Sequence, residues 1–440
     1  MAEQQTEDRR PAIVAVADSD SYLKWSAATL RAMPPRWQTS QVVIDSPIRP
    51  SAAQIRSAAG EPVEVLRYAA VIDLLRIDRP DAVLLACTGP VVAAVAADRL
   101  FRGPARPVMI TGLPGISIPA SGRAVDARAG CDLFLLHSRR EIAEFTRLGP
   151  QHGPDLVFGL ASLPFLSRRQ AADDQRRTVQ LIFAAQAKVP SRRSDREQIL
   201  LALADAGPAV IKLRAVDEEQ QTHHEQWPYP VLLADLEAQG TVAPSAVGLL
   251  GGSMDEALRG ARALVTVSST AALESMAVGL PTLIISDFGI SPDLINTVFV
   301  GSGCLGTLDD LREGRITPPD SDWLEANYFH PGADNDWLDH LEDLLTQRAT
   351  GGLPVRGPSG YLPKRVHRRV RLLLPASSHP RLGALRASVR RAAARSTRIV
   401  HELRHGLRLG TTPAGRHSGR RAGHRPPPPA RPPGTSGRGR

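Results

Sequence analysis

Aromatic residues are scarce here: Phe, Trp and Tyr make up 4% of 440 residues. Beyond Tyr361 the chain has none, so its last stretch lacks rings on which nucleic-acid bases would stack. Cysteine is as sparse. Cys87, Cys131 and Cys304 lie far apart, and no close pair offers a zinc site or a disulfide framework, which fits a reducing cytosol. No uncharged apolar run reaches the ~18 residues that a membrane-spanning helix needs. The opening MAEQQTEDRRP is polar and has no apolar h-region, so no secretory signal is expected. No G-x-G-x-x-G follows the first strand of the sequence, so no tightly bound dinucleotide cofactor is expected.

What is present is a chain long enough for two domains and a tail, with 42% hydrophobic residues to build their cores. The formal net charge of +9 hides an asymmetry. Residues 361–440 hold 20 Lys and Arg against one acid, Glu402, which leaves 34 basic and 44 acidic residues before them. An acidic body therefore carries a basic, polyanion-seeking arm.

Residues 12–166 alternate strand and helix, as a doubly wound, mostly parallel sheet requires. Ile13–Ala17 reads as a buried strand ending in Asp18-Ser19-Asp20-Ser21, before a helix from Tyr22 to about Met33. Two carboxylates at the carboxyl end of a first strand lie on the usual ligand edge of such a sheet. Asp18 and Asp20 are accordingly candidate bases, while capping of the helix is the plainer reading of Asp18 or Ser19. Lys24 and Trp25 follow at the same edge, and Trp25 also reads as a packing residue. Further strands are read at Val42–Ile44, Asp81–Cys87, Pro107–Thr111, Asp132–Leu136 and Leu156–Leu160. Helices are read at Gln54–Ala59, Val65–Ile77, Val91–Phe101 and Glu141–Leu148. Thr88-Gly89 forms a second ligand edge, and Gly112-Leu113-Pro114-Gly115-Ile116 is a loop able to approach a ligand closely. His137 ends a strand; its ordinary pKa suits acid–base work, and a structural role is the alternative.

The polar run 167–177 reads as a linker to a second domain over 178–350. Val179–Phe183 is its first strand, followed by Gln186, Lys188 and a helix over Asp195–Ala206. Ala209–Arg214 reads as a strand whose Lys212 and Arg214 share one face, since strand side chains repeat every two residues. Two cations there suit a pyrophosphate; a charge-protected edge strand is the alternative. Thr222-His223-His224-Glu225 lacks the i, i+4 spacing of a helical zinc pair, so no metal site is expected. Val231–Ala238 fits helix or strand, and Met254–Gly260 is a short helix. The most informative stretch is ALVTVSSTAALESMAVGLPTLIIS, residues 263–286. It reads as a strand, the hydroxyl turn Ser268-Ser269-Thr270, a short helix stopped by Gly279 and Pro281, and a second strand. Hydroxyls at a helix N-terminus suit an anion such as phosphate, with Glu274 placed to accept from ribose hydroxyls. Ser268 or Ser269 as a simple N-cap, with Glu274 solvated, is the alternative. Asp287 and Asn296, in the following loop and short helix (290–297), are candidate contacts for the sugar or base.

The pattern SSTAALESMAVGLPTLII resembles the donor-binding segment of GT-B glycosyltransferases, above all those of bacterial capsule and lipopolysaccharide synthesis. With AVADSDSYLKW (15–25), FAAQAKVP (183–190), IKLR (211–214) and THHE (222–225), the chain is also similar to an uncharacterised actinobacterial family of glycosyltransferases. The resemblance implies two Rossmann-like doubly wound domains facing a cleft, α/β in class. It implies metal-independent transfer of a sugar from a nucleotide-activated donor to a cell-surface glycan or glycolipid, with no cofactor. Ser268, Ser269, Thr270, Lys212 and Arg214 would hold the donor phosphates. Glu274, Gln186 and Lys188 would contact the nucleotide, and Asp18, Asp20 and His223 are the catalytic candidates. A polyol-phosphate transferase or a sugar-nucleotide epimerase on the same architecture is the alternative. A non-enzymatic protein acting through its tail is a third reading.

Residues 351–410 read as a basic helical extension and 411–440 as a disordered Arg/Gly/Pro tail. Leu382, Leu385, Val389, Ala393, Ile399 and Leu403 fall roughly on one helical side among arginines, as suits an anionic membrane surface. Nucleic acid and a merely solubilising tail are the other readings. The expected location is the cytoplasm, peripheral at the inner face of the plasma membrane.

Overall fold

Seven short apolar segments in the first half hydrogen-bond into one sheet: β1 (Ala12–Ala17), β2 (Gln38–Ile44), β3 (Glu64–Leu66), β4 (Ala82–Ala86), β5 (Val108–Gly112), β6 (Leu133–Leu136) and β7 (Val157–Leu160). Their order is β3-β2-β1-β4-β5-β6-β7 and every pair is parallel. The computed structural model describes residues 9–166, 180–213 and 225–355. Both sheets lie in one compact unit. The linker at 167–177, Arg214, His223, the basic extension beyond 355 and the tail lie outside the described residues.

Parallel strands are covered on both faces, so their side chains are apolar on both. Ile13, Ala15 and Ala17 face one core, shared with α1 (Asp20–Arg31) and α2 (Ala52–Ala59). Val14 and Val16 face the other, shared with α3 (Tyr68–Asp78), α4 (Gly89–Ala96), α5 (Gly122–Asp126) and α6 (Arg139–His152). The helices change face where the strand order reverses, between β1 and β4. Gly112 lies under the Trp25 ring: a Cβ there would sit 2.4 Å from it.

The second sheet repeats the plan: β8 (Leu181–Ala184), β9 (Ala209–Lys212), β10 (Val247–Leu250), β11 (Ala263–Thr266), β12 (Thr282–Ile285) and β13 (Leu305–Gly306), all parallel, in the order β10-β9-β8-β11-β12-β13. One face is covered by α7 (Arg193–Asp205), α8 (Tyr229–Ala238) and, after β13, α11 (Leu308–Arg312). The other is covered by α9 (Met254–Arg259), α10 (Ala271–Ala277) and α12 (Ser321–Ala326). The last helix, α13 (Trp337–Thr350), returns to the first sheet, where Trp337, Leu341 and Leu344 join the core of α1 and α2.

Several boundaries differ from the sequence reading. The helix expected from Val65 begins at Tyr68, because Glu64–Leu66 pairs with β2 as an edge strand. The helix expected to reach Phe101 stops at Ala96, and Asp98 caps a separate 3-10 turn, Arg99–Phe101. Val231–Ala238 is helical, with Pro early in the first turn where its missing N–H costs nothing. The short helix read within 290–297 is a loop, followed by a 3-10 turn at Thr297–Phe299.

Candidate functional site

In an open α/β sheet a crevice forms beyond the carboxyl ends of the two strands at which the order reverses. In the second sheet these are β8 and β11. Gln186 lies just past β8 and Ser268 just past β11, and the structure brings them together. The Gln186 Oε1 accepts the backbone N–H of Ser268 at 3.0 Å and its hydroxyl at 3.1 Å. The Gln186 Nε2 bonds no described residue.

The hydroxyl turn is partly committed to itself. The Ser269 N–H donates to Thr266 Oγ1 at 3.2 Å, and Ser269 Oγ accepts the Ala271 N–H at 3.2 Å. The N-cap of α10 is Thr270, and its side chain makes no cap bond. Among the described residues, nothing accepts from the Thr270 N–H or hydroxyl. The turn therefore offers a ligand the Ser269 and Thr270 hydroxyls, the Thr270 N–H and the Gln186 amide. Since α10 is only seven residues long, these groups rather than a long helix dipole are what an anion would meet.

Lys212 ends β9 beside this crevice and is only 5% exposed. Its ammonium donates to the Leu213 carbonyl at 2.6 Å. Burial lowers its pKa, and the charges of Glu274 and Glu256 act against that. Glu274, half-buried in α10, thus shares one field with Lys212. Lys188 is exposed. Asp287 accepts the Leu308 N–H at 2.9 Å, at the start of α11. Asn296, fully buried, accepts from Ser291 N–H and donates to the Gly289 carbonyl, both at 3.0 Å, and so holds its own loop.

The first sheet carries the same device at β1 and β4. Asp18 is fully buried, and its Oδ2 accepts the Thr88 N–H at 2.8 Å and hydroxyl at 2.6 Å. Its Oδ1 is buried without a described partner. Burial raises its pKa, and the Thr88 bonds work the other way. Asp20 opens α1, is 25% exposed and pairs with Lys24 at 2.7 Å. His137 is almost wholly enclosed: Nδ1 donates to the Ala161 carbonyl at 2.8 Å, and Nε2, which accepts from Trp25 Nε1 at 2.9 Å, also lies 3.0 Å from the Leu113 carbonyl. Burial lowers its pKa to about 4. Trp25 is held by that bond and by core packing. Among the described residues no group of three or more His, Cys, Asp and Glu side chains is placed to hold a metal.

The two sheets meet where the Gly/Pro loop after β5 faces the hydroxyl turn after β11. A Cβ at Gly115 would lie 3.7 Å from Thr270 Cγ2. Nearby, buried Glu141 accepts from the Ser117 N–H at 2.8 Å, the His137 N–H at 2.8 Å and the Tyr328 hydroxyl at 2.6 Å, joining the halves. Arg140 adds a bond to the Val298 carbonyl at 3.1 Å. The sequence alone marks neither Glu141 nor the buried Arg196 of α7; each looks like an ordinary helix charge apart from its distant partners.

A protein-family model described as "Putative glycosyltransferase (DUF6716)" matches residues 13–344. No curated protein matches the chain in sequence. Solved structures similar to it include a UDP-GlcNAc 2-epimerase from Neisseria meningitidis bound to UDP-GlcNAc, at 12% identity and a TM-score of 0.47 over 76% of this chain and 100% of that one. Another is Anabaena HepE in complex with UDP and glucose, at 13% identity and a TM-score of 0.46 over 77% and 100%. A third is the lipopolysaccharide outer core galactosyltransferase WaaB, at 11% identity and a TM-score of 0.44 over 76% and 98%.

Proposed function

The chain belongs to the DUF6716 family, and from that premise we propose that the crevice between β8 and β11 holds the diphosphate of a nucleotide-activated sugar. The observation that carries this reading is a contrast between two otherwise matching latches. Both sheets have a crevice bridged by one side-chain oxygen accepting an N–H and an O–H. In the first sheet the bridge is an acid, Asp18; in the second it is a neutral amide, Gln186, with the Lys212 cation alongside. An anion finds a neutral amide and a cation in the second arrangement and a carboxyl group in the first.

The leaving diphosphate then meets donors that are already oriented, which is the largest single contribution in this kind of catalysis. These are the Ser269 and Thr270 hydroxyls, the Thr270 N–H, the Gln186 amide and the Lys212 ammonium, and the transfer is metal-independent. Glu274 accepts from the ribose hydroxyls. Arg214 and His223, carried over from the resemblance, complete the donor side. The acceptor, a cell-surface glycan or glycolipid, enters from the first sheet past Asp20, whose carboxylate is more open than the enclosed Asp18. The basic segment 361–410 holds the enzyme at an anionic membrane surface; among the described residues no helix is long and apolar enough to cross a membrane.

Calorimetric titration with UDP-, CDP- and GDP-sugars tests the reading. One of the three is expected to bind, and binding by none to a folded protein overturns it. Mass analysis of the products separates the alternatives. A glycosyltransferase releases nucleoside diphosphate and adds a sugar to the acceptor, a polyol-phosphate transferase releases nucleoside monophosphate, and an epimerase leaves the donor mass unchanged.

A further inference from the structure

We propose that Arg196 is a positioning residue for the nucleotide crevice, setting the loop from which Gln186 reaches Ser268. This rests on the diphosphate reading above. Arg196 is 1% exposed. It lies in the first turn of α7, where a helical side chain leans back toward the N-terminus, here toward the loop leaving β8. Its Nε donates to the Pro190 carbonyl at 2.8 Å, and its Nη2 donates to the carbonyls of Gln186 at 3.0 Å and Ala187 at 2.9 Å. Its Nη1 donates to the Trp227 carbonyl at 2.8 Å and to the Glu225 carboxylate. The guanidinium lies 4.7 Å from the centre of the Tyr229 ring.

An arginine side chain has five N–H donors in a planar fork, and here each has an acceptor. Three of those acceptors are carbonyls of the 186–190 loop. The other two belong to the segment entering α8. One side chain therefore ties the loop leaving β8 to the segment that enters α8. The Glu225 carboxylate balances the buried charge. Arg196 touches no ligand site itself; its effect passes through the backbone of Gln186, whose side chain is aligned on Ser268 across the crevice. Lysine, with three donors around a point charge, cannot reproduce the fork.

The test is a double-mutant cycle read as affinity for whichever nucleoside diphosphate (UDP, CDP or GDP) the wild-type protein binds. Arg196→Lys is expected to weaken binding about tenfold, and Gln186→Ala to weaken it comparably. The double variant should lose little beyond either single one, because both remove the same aligned amide. Losses that multiply, or an Arg196→Lys protein that binds like wild type, overturn the inference. Failure of the wild-type protein to bind any nucleotide instead overturns the reading beneath it. Should Arg196→Lys not fold, hydrogen exchange on the wild-type protein decides. The bound nucleotide is expected to slow the amides of 186–189 and 225–227 together, and slowing confined to 268–274 overturns the proposal.

Discussion

Gln186 and Ser268 are 82 positions apart in the chain, yet one side-chain oxygen of the first takes both donors of the second, at 3.0 and 3.1 Å. Asp18 and Thr88 do the same in the other sheet, 70 positions apart. Gln186→Glu tests what the difference between amide and acid means. A carboxylate still accepts both Ser268 donors, so the fold should keep its thermal midpoint. It also places a negative charge where the diphosphate sits, so nucleotide affinity should fall about tenfold or more, as like charges a few ångströms apart require. Calorimetry and a thermal melt on the same sample check both halves.

Lys212 poses the complementary case. The residue is 5% exposed, and burial lowers its pKa while Glu274 and Glu256 help to keep it charged. Lys212→Met preserves the length of the side chain and removes the charge. Loss of a charge-assisted bond to phosphate costs about 1.5–3 kcal/mol, so affinity should drop roughly 10- to 150-fold. Because a desolvated cation has also been removed, stability should not drop in step. Titration with the same nucleotide, next to a denaturant melt, checks this.

At the opposite, amino edge of the first sheet, Arg106 and Asp132 form a fully buried ion pair at 2.5 and 2.8 Å. Asp132 also accepts the Met109 N–H at 2.9 Å, and Arg106 donates to the Pro354 carbonyl at 3.3 Å. Asp132→Ala leaves an uncompensated buried guanidinium, which costs about 3–5 kcal/mol. The pair is far along the strands from either crevice. The variant should therefore melt at markedly lower denaturant while its folded fraction binds nucleotide with wild-type affinity.

Much of this architecture is visible in the chain itself. Runs such as Leu181–Ala184 and Ala263–Thr266 are short, apolar and bounded by turn residues, so both sheets can be read as sheets. The hydroxyl turn at 268–270 stands out because three polar residues interrupt an apolar stretch at a strand end. What cannot be read is which donors are already taken. Nothing local says that the Ser268 N–H belongs to Gln186, or that Asp18, which looks like an open acid at a strand end, is enclosed by Thr88. Those facts depend on side chains brought together across crossovers. Arg196 is invisible for the same reason: it sits among Arg192, Arg193 and Glu197, and only its enclosure distinguishes it. The return of Trp337 to the first sheet is likewise a property of the path and not of the segment.

His137 supplies a prediction in pH. Its Nε2 accepts from Trp25, so protonating that nitrogen exchanges this bond for one to the Leu113 carbonyl, 3.0 Å away, and places a charge in an enclosed site. Burial accordingly holds its pKa at about 4, against 6.5 in the unfolded chain. Because the folded value is depressed, the unfolded state takes up the proton first as pH falls. The stability linked to His137 is therefore complete above pH ~6.5 and is lost as pH drops toward ~4, on the order of 3 kcal/mol in all. Glu141, which accepts the His137 backbone N–H, titrates in the opposite sense. Burial raises its pKa, so its contribution is present at low pH and lost as pH rises through the raised value. Comparing wild type with His137→Gln at each pH leaves Glu141 common to both proteins. The stability gap between wild type and variant should be widest at pH ~7 and shrink between pH ~6.5 and ~4.5 in urea melts. Parallel slopes in the two proteins would show that the ring is protonated in the fold, or that water reaches it.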